Sequence, residues 1–250
     1  MKLALFSDLH ANLPAFDACL AHARQQGADT LAVLGDLVGY GPHPSEVVER
    51  CRELQREGAI VLRGNHDTFP VNSVRTGSTW ADMTAAWTRQ HLDDGQCEWL
   101  EQLPLTRRIE SVFLVHATAE APEKWHYALD ERLASRSLEA ATRDPEVRYV
   151  FGGHVHEQSL FYRGTGRSLM RFVPRAGVAI PVGPHRYWLA TVGSVGQPRD
   201  GDTRANYALL DLGAQKLSFH RIAYDHFAVA REMRSVGLPD VLATRLESGR

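Results

Sequence analysis

The sequence predicts an α/β fold in which two β-sheets pack against each other and helices cover their outer faces. Three features of the 250 residues support this prediction. Apolar strand-like runs alternate with helical segments over the first 63 residues, which is typical of parallel strands joined by right-handed crossovers. Beyond residue 157 the pattern is mostly β. No repeat or linker-like segment interrupts the chain, so we predict a single domain over residues 1–250.

The first part of the chain predicts three strands and two helices in alternation. The strands are short apolar runs followed by polar residues, at 2–6, 30–35 and 59–62. The helices have apolar residues at helical spacing, at 13–27 and 44–58. Asn12 is the expected N-cap of the first helix and Gly27 its end. A mostly helical stretch over about 78–103 follows, with three tryptophans expected in the core: Trp80, Trp87 and Trp99.

The rest of the chain predicts strands more often than helices. One or two strands are expected within 107–116, a helix at 131–144 and a further strand at 147–153. The later strands are expected at 159–164, 168–174 and 187–193, followed by a hairpin over 206–224. A shorter amphipathic helix at 227–237 closes the predicted fold.

The composition is that of a globular protein and excludes several classes of partner. Hydrophobic residues make up 44% and charged residues 23%, and the formal net charge is −2. This charge predicts neither a nucleic-acid footprint nor a polybasic membrane patch. The apolar run before Asp8 is too short for a signal peptide, and no segment predicts a membrane span, so we expect a cytoplasmic protein. The three scattered cysteines are expected to be reduced core thiols: Cys19, Cys51 and Cys97.

Metal-binding side chains follow five of the apolar strands. Ligands gather at the carboxyl edge of open α/β sheets because the loops converge there. The donors at these strand ends are Asp8, His10, Asp36, Asn65, His116, His154 and His156. Asp8 and His10 are two residues apart, as are His154 and His156, and an extended backbone would point both members of each pair to one side. Taken together, these donors predict a metal site.

The number and chemistry of these donors favour two ions over one. Carboxylate, imidazole and amide donors suit Mn, Fe, Zn, Co or Ni. A catalytic zinc ion usually takes only three protein ligands, so seven donors predict two divalent ions with one bridging carboxylate. Two carboxylates offset only half of the four positive charges. The remainder would attract a phosphate and acidify a bridging water, so that a metal-bridging hydroxide is the expected nucleophile.

The same motifs resemble those of the calcineurin-like metallophosphoesterases. The matching segments are "SDLH", "GDLVGYG", "GNHD", the lone His116 and "GGHVH", in the family's order and at comparable spacing. They span about residues 8–156, and the β-rich remainder is compatible with the family's second sheet. The resemblance implies a four-layer α-β-β-α sandwich of two mixed β-sheets flanked by helices, with a dinuclear metal site.

The resemblance also implies a role for each residue of the site. One ion takes Asp8, His10 and His156, while Asp36 bridges the two ions. The other ion takes the remaining three donors, Asn65, His116 and His154. His66 is implied as the proton donor to the leaving group.

The chain departs from the protein phosphatase branch of the family at one motif. That branch carries Asp-Arg-Gly where this chain has Gly39, Tyr40 and Gly41. The departure argues against a Ser/Thr protein phosphatase and favours a small bacterial-type phosphoesterase. It also leaves open which group orients His66. In the loop over 193–202, Arg199 is a candidate for substrate binding, with a tight structural loop as the alternative.

The expected function is the hydrolysis of phosphate mono- or diesters, with a small phosphate ester or a nucleotide as substrate. One alternative is a nucleotide pyrophosphohydrolase of the diadenosine-tetraphosphate type, because the same dinuclear chemistry serves both reactions. An alternative from another class is a catalytically silent scaffold that binds proteins. The presence of all seven donors together with His66 argues against the scaffold. Tyr40 and Arg63 are weaker candidates for contact with the substrate. The sequence leaves the native metals and the oligomeric state open.

Overall fold

The computed structural model describes residues 1–68, 79–163 and 168–250, which form two mixed six-stranded sheets with flanking helices. The first six strands are β1 (Lys2–Phe6), β2 (Thr30–Val33), β3 (Ile60–Val61), β4 (Thr106–Ile109), β5 (Val112–Val115) and β6 (Tyr149–Gly152). The others are β7 (Gln158–Arg163), β8 (Leu169–Phe172), β9 (Ala179–Pro181), β10 (Tyr187–Val192), β11 (Ala205–Asp211) and β12 (Lys216–Ile222). The helices are α1 (Leu13–Gln25), α2 (Pro44–Arg56), α3 (Asn65–Thr68), α4 (Trp80–Gln90), α5 (Asp94–Gln102), α6 (Glu131–Ala141), α7 (His226–Ser235) and α8 (Asp240–Ser248).

The first sheet confirms the predicted parallel strands and extends them with a hairpin. Its order is β3-β2-β1-β11-β12-β9. β1, β2 and β3 run parallel, while β11 joins β1 antiparallel and pairs with β12. The second sheet has the order β4-β5-β6-β10-β7-β8, in which β5, β6 and β10 are parallel neighbours. Both sheets are therefore mixed, and the predicted fold class is confirmed.

The apolar core lies in separate layers that account for this arrangement. Between the sheets, Leu3 and Leu5 of β1 pack with Leu114 of β5 and Phe151 of β6. The next residues along β1 point the other way, as strand geometry requires, and Phe6 packs against helix α1. On the far side of the second sheet, Leu138 of α6 covers β6 and its neighbours. Each sheet thus buries one face against the other sheet and one against helices.

Most predicted elements are present, and the differences are at short or late segments. Asn12 accepts a hydrogen bond from the Ala15 N–H at 3.3 Å, and the first helix ends before Gly27, as expected. The pattern missed the short strand β9, the single helical turn α3 and the last helix α8, which packs on α7 through Leu242. Residue 78 and Gly164, at the edges of two predicted elements, lie outside the described residues.

The three cysteines are buried and free, as the sequence predicts. Within the part of the chain that the structure describes, no helix combines the length and the hydropathy that crossing a bilayer requires.

Candidate metal centre

The seven predicted donors lie where the strands of both sheets end. In chain order they are Asp8 and His10 after β1, Asp36 after β2, Asn65 after β3, His116 after β5, and His154 and His156 after β6. All except Asn65 are buried, the most exposed being His154 at 6%. The two sheets pack face to face, and this brings donors from β1 and β2 to those from β5 and β6. No single sheet carries the whole set.

The described carboxylates and imidazoles form three overlapping groups that have the geometry of a cation site. Within each group the ligand atoms lie within 4.8 Å of one another. The groups are Asp8 with His10 and His156, Asp36 with His116 and His154, and Asp36 with His10 and His66. Asn65 lies next to these groups, because the following residue, His66, donates its backbone N–H to Asp36 Oδ1 at 2.8 Å. The structure thus brings the predicted donors to one place.

Asp36 is the residue shared between the two sides of this centre. Its Oδ2 atom lies 3.8 Å from His10 Nε2 and 3.3 Å from His116 Nε2. The Asp8 carboxylate groups with the imidazoles of one side, where its Oδ1 lies 3.2 Å from His156 Nε2, and it meets the other side through the backbone N–H of His154. A carboxylate between two sets of imidazoles is the geometry that a bridging ligand requires.

The backbone of the site differs from the extended conformation that the sequence predicts. Asp8 and His10 have φ values of 54° and 44°, and His154 and His156 have 66° and 63°. Asp36 also has a positive φ, 53°. These values belong to the left-handed region, which non-glycine residues seldom occupy and which costs on the order of 1–3 kcal/mol each. Left-handed turns, and not extended strands, therefore aim both members of each pair at the centre.

Asp67 joins the loop after β2 to the loop after β3. Its Oδ2 accepts the N–H groups of Asp36 and Gly64, at 2.9 and 2.8 Å. Its Oδ1 accepts those of Leu37 and Val38, at 2.8 and 3.3 Å. A buried carboxylate with four backbone donors holds both loops in one geometry. The sequence does not show this link, because Asp67 and Asp36 are 31 positions apart in the chain.

Backbone carbonyl groups hold three of the imidazoles in one orientation. The Nδ1 atoms of His10, His116 and His156 lie 3.2, 2.9 and 2.6 Å from the carbonyl oxygens of Val38, Leu34 and Gln197. Nδ1 must carry the proton to donate to a carbonyl group, so in the neutral ring Nε2 keeps its lone pair. This pairing of one ring nitrogen with a backbone carbonyl is the usual support for a metal-bound histidine.

Three of the predicted ligand atoms lack the hydrogen-bond partner that a buried polar atom requires. Asn65 Oδ1, His116 Nε2 and His154 Nε2 are buried without one, and the 3.3 Å contact of His116 with Asp36 lacks hydrogen-bond geometry. His10 Nε2 and His156 Nε2 face each other at 3.2 Å. Two lone pairs at that distance repel unless a proton or a metal ion lies between or beside them. The residues present therefore fit metal ions.

The protonation states of the site also suit metal ligands. Burial raises the pKa values of Asp8 and Asp36, but the neighbouring histidines, chiefly His156 and His116 respectively, lower both well below the ordinary range. Burial lowers the pKa of His10 strongly and that of His154 to about 4. His116 is the exception: burial lowers its pKa, but Asp36 and the other nearby carboxylates together raise it to about 9. The carboxylates thus favour a positive charge at that point, and a metal ion bound to His116 would take the place of the proton.

His66 lies at the edge of the centre, against the rings of Tyr40 and His10. Its ring is 4.5 Å from the ring of Tyr40 and 5.0 Å from that of His10. Burial lowers its pKa, and Asp36 opposes this effect. A Cβ atom at Gly39 would lie 2.7 Å from His66 Nδ1, so glycine at this position makes room for the ring. Tyr40 and Gly39, which replace the protein phosphatase motif, thus pack against His66.

Substituting Gly39 by alanine should displace the His66 ring and lower kcat, while the metal content stays unchanged. Because Gly39 also has a φ of 84°, the strain of a left-handed alanine must be separated from the collision. Gly58 is the matched control, with a φ of 101° and no atom within 4 Å of an added Cβ. Kinetics and metal analysis of both variants provide the test. Equal kcat values for Gly39→Ala and Gly58→Ala would contradict the role of Gly39.

Two of the three candidates for substrate contact, Arg199 and Tyr40, also lie at this site. Arg199 Nη2 and Nε donate to Gln197 Oε1 at 2.8 and 3.3 Å, and the guanidinium carbon lies 5.8 Å from the centre of the Tyr40 ring. The ring of Tyr40 is 4.7 Å from that of His10. Arg63 differs from these, because its Nη1 donates to the Glu101 carbonyl oxygen at the end of α5.

Sequence reasoning missed the aromatic residues on the other side of the centre. Tyr127 stacks on His154, with ring centres 3.9 Å apart, and Trp125 lies edge-on to His116 at 5.9 Å. Both rings come from the segment between β5 and α6, which carries no recognised motif. Two aromatic residues in a polar loop were the available signal, but local pattern does not say what such rings contact.

Two mixed sheets with flanking helices and buried histidine and aspartate clusters define an α/β fold of the metallophosphoesterase type. The chain belongs to the calcineurin-like phosphoesterase superfamily, whose domain description matches residues 1–215. Phosphoesterases are the enzymes of this superfamily, and the buried clusters are consistent with the dinuclear site typical of it.

Individual relatives agree with this assignment. The crystal structure of a metallophosphoesterase from Sphaerobacter thermophilus superposes with a TM-score of 0.84 at 33% identity, covering 100% of this chain and 99% of that one. An uncharacterized protein of Methanocaldococcus jannaschii, MJ0912, is 29% identical over 257 residues, 99% of this chain and 98% of its own. The phosphodiesterase YfcE of Escherichia coli is 29% identical over 140 residues, 50% of this chain and 73% of its own.

Proposed function

We propose that this protein hydrolyses phosphate mono- or diesters at a centre that holds two divalent cations. The observation that carries the proposal is the position of Asp36 Oδ2 between His10 Nε2 and His116 Nε2, 3.8 and 3.3 Å away. One carboxylate oxygen thus faces the imidazoles of two ligand groups. A shared carboxylate of this kind is the feature that distinguishes a two-metal site from two separate ones.

The ligand groups divide naturally between the two ions. Asp8, His10 and His156 would hold one ion, and Asn65, His116 and His154 the other, with Asp36 common to both. The unpartnered atoms of the second set support this division, because each offers a lone pair. Imidazole, carboxylate and amide donors suit Mn, Fe, Zn, Co or Ni, and the absence of thiolate among them gives no preference for softer ions.

Bound ions would supply positive charge to the phosphoryl oxygens and would lower the pKa of a water molecule that attacks phosphorus. The residues of the chain prepare the site for this chemistry. The carbonyl groups of Val38, Leu34 and Gln197 keep three imidazoles oriented with Nε2 inward. Asn65 offers a neutral oxygen, so the second ligand set brings no carboxylate of its own. A net positive charge remains to attract phosphate.

His66 would give a proton to the departing oxygen of the ester. Its ring lies close enough to His10 and Asp36 to form a group with them, but neither ligand set proposed above uses it, and the ring of Tyr40 packs against it. A negatively charged phosphate next to the imidazole favours its protonated form, as Asp36 does. An alkoxide is a poor leaving group, so protonation at this point lowers the barrier.

Metal content and substrate range test the proposal directly. After reconstitution with Mn²⁺ the protein should contain two ions per chain, and chelation should abolish activity. The loaded protein is then assayed against matched phosphate monoesters, phosphodiesters and a dinucleoside tetraphosphate. Cleavage of the tetraphosphate alone would favour the pyrophosphohydrolase alternative. One ion or none per chain would refute the two-metal centre, and two ions without turnover of any compound would favour the scaffold.

Arg199 should contribute to binding of the substrate phosphate and not to metal binding. Arg199→Ala should raise KM by about 10- to 100-fold, because it removes a hydrogen bond to a charged group. The metal content should stay at the parent value. Arg204→Ala is the matched control, because Arg204 lies in the adjacent segment but is paired with Asp202. Steady-state kinetics on one ester compares the three proteins. The structural interpretation of the 193–202 loop would be correct if both variants had the KM of the parent.

A further inference from the structure

Tyr127 presents an aromatic surface directly beside the candidate metal centre. Its ring lies nearly parallel to the imidazole of His154, with an interplanar angle of 21° and ring centres 3.9 Å apart. Although one face is covered in this way, the residue remains 47% exposed. A ring with one face packed and half of its surface accessible must offer its other face to solvent. That free face lies one ring thickness from a predicted metal ligand.

The segment that carries Tyr127 is held against the centre by a second aromatic residue. Trp125 has φ 53° and ψ 41°, a left-handed conformation that is unusual for a bulky side chain. In this conformation its indole lies 5.9 Å from the His116 ring, at an interplanar angle of 70°. Strained backbone of this kind is concentrated at functional sites. Trp125 and Tyr127 therefore contact the two histidines assigned to the same ion.

A cationic side chain also lies beside the centre. The guanidinium carbon of Arg199 is 5.8 Å from the centre of the Tyr40 ring, and that ring is 4.7 Å from the ring of His10. The centre thus has the guanidinium of Arg199 near His10 and the flat, open ring of Tyr127 on His154. A ligand that reaches both needs an anionic group and a planar group.

We propose that the exposed face of Tyr127 is a stacking platform for the base of a nucleotide substrate, whose phosphate is held by the centre and by Arg199. The inference rests on the proposed function and narrows it to phosphate esters that carry a nucleobase. Stacking on an aromatic side chain tolerates every base, because each has a π-face. The platform would therefore select nucleotides over sugar or alkyl phosphates without selecting one base.

A purely structural role for Tyr127, as a cover for His154, makes a different prediction. If Tyr127 only covered His154, it would affect the binding and hydrolysis of all phosphate esters equally, because it would act only through that histidine. A platform contributes only to ligands with a base. The ratio between a ligand with a base and the same ligand without one separates the two roles, and any effect on the metal cancels from that ratio.

The experiment compares adenosine 5′-monophosphate with ribose 5-phosphate on the Mn²⁺-loaded full chain. The readout is kcat/KM where a compound is hydrolysed and the calorimetric Kd where it is not. The parent protein should prefer the adenosine compound by about 5- to 100-fold, the contribution of one stacked base. Tyr127→Leu should reduce this preference to about one, whereas Tyr127→Phe should keep it. Phe227→Leu is the matched control, because Phe227 is also half-exposed and packed on a histidine, His226.

Each result decides the inference. Equal values for the two compounds in the parent protein, or an unchanged preference in Tyr127→Leu, would overturn it. The inference would also be overturned if the protein bound or cleaved simple phosphate esters but neither adenosine 5′-monophosphate nor ribose 5-phosphate. The proposed function would still stand in that case. If no ester is hydrolysed the proposed function fails, and the calorimetric preference still tests the platform. A loss of the preference in Phe227→Leu as well would also contradict the role of Tyr127.

Discussion

Asp36→Asn is expected to impair both ion sites at once and to reduce hydrolysis below the level of every other single variant described above. Asp36 Oδ2 lies near His10 on one side and His116 on the other, so the substitution removes an anionic oxygen from both ligand sets. Mutation of a residue that merely supports a ligand costs about 10- to 100-fold in metal affinity. Loss of the shared ligand should lower the metal affinity of each site by at least the same factor. Elemental analysis after equilibration with limiting Mn²⁺ measures the loss.

Asp8→Asn is the matched control for this experiment. Asp8 is also a buried carboxylate after a strand, and the imidazoles that its Oδ1 approaches are those of His10 and His156. Its contact with the other ligand set is to the backbone N–H of His154 and not to a ligand atom. Its substitution should therefore weaken one ion and leave close to one per chain. The shared role of Asp36 would be wrong if the two variants lost the same single ion. Circular dichroism of both variants establishes that the fold is retained.

His66→Asn is expected to keep both ions and to lower kcat by about 10²- to 10⁴-fold, the usual contribution of a positioned general acid. This loss corresponds to about 3–5 kcal/mol in the activation barrier. Gly64 lets the chain after β3 pass close to Asp36, because an added Cβ would lie 2.2 Å from Asp36 Oδ1. This path places the next residues at the centre: Asn65 among the ligands and His66 beside them. The asparagine variant keeps a polar side chain but has no group to transfer the proton.

The dependence on the leaving group separates proton donation from other roles of His66. Esters of nitrophenol need little protonation, so the loss should be much smaller for them than for alkyl esters. His91→Asn is a suitable control, because His91 is exposed and bonds to the Trp87 carbonyl group on α4. If His66→Asn slowed both classes of ester equally, or lost a metal ion, His66 would not be the acid.

The local pattern of the sequence was sufficient for most of the fold and for the membership of the site. Helical spacing, the Asn12 cap and short apolar runs predicted the elements, because each depends on a few consecutive residues. The donors after five strands were recognisable for the same reason, since each follows its own apolar run. Asp8 and Asp36 follow β1 and β2, and parallel strands end at the same edge of a sheet. Their proximity could therefore also be predicted from the sequence. The fold class was thus determined at the level of sequence, and the donor set was predicted there.

Packing between distant segments decided what the sequence left open. The carboxylate of Asp67 bonds to the Asp36 N–H 31 positions earlier in the chain, and Tyr127 stacks on His154 from a loop without a motif. The helix α8, which joins α7, also escaped prediction because its role depends on that contact. The left-handed backbone of Asp8 and His154 also results from packing between distant segments. Such a conformation costs energy locally, so only the surrounding packing can impose it, and a local pattern carries no sign of it.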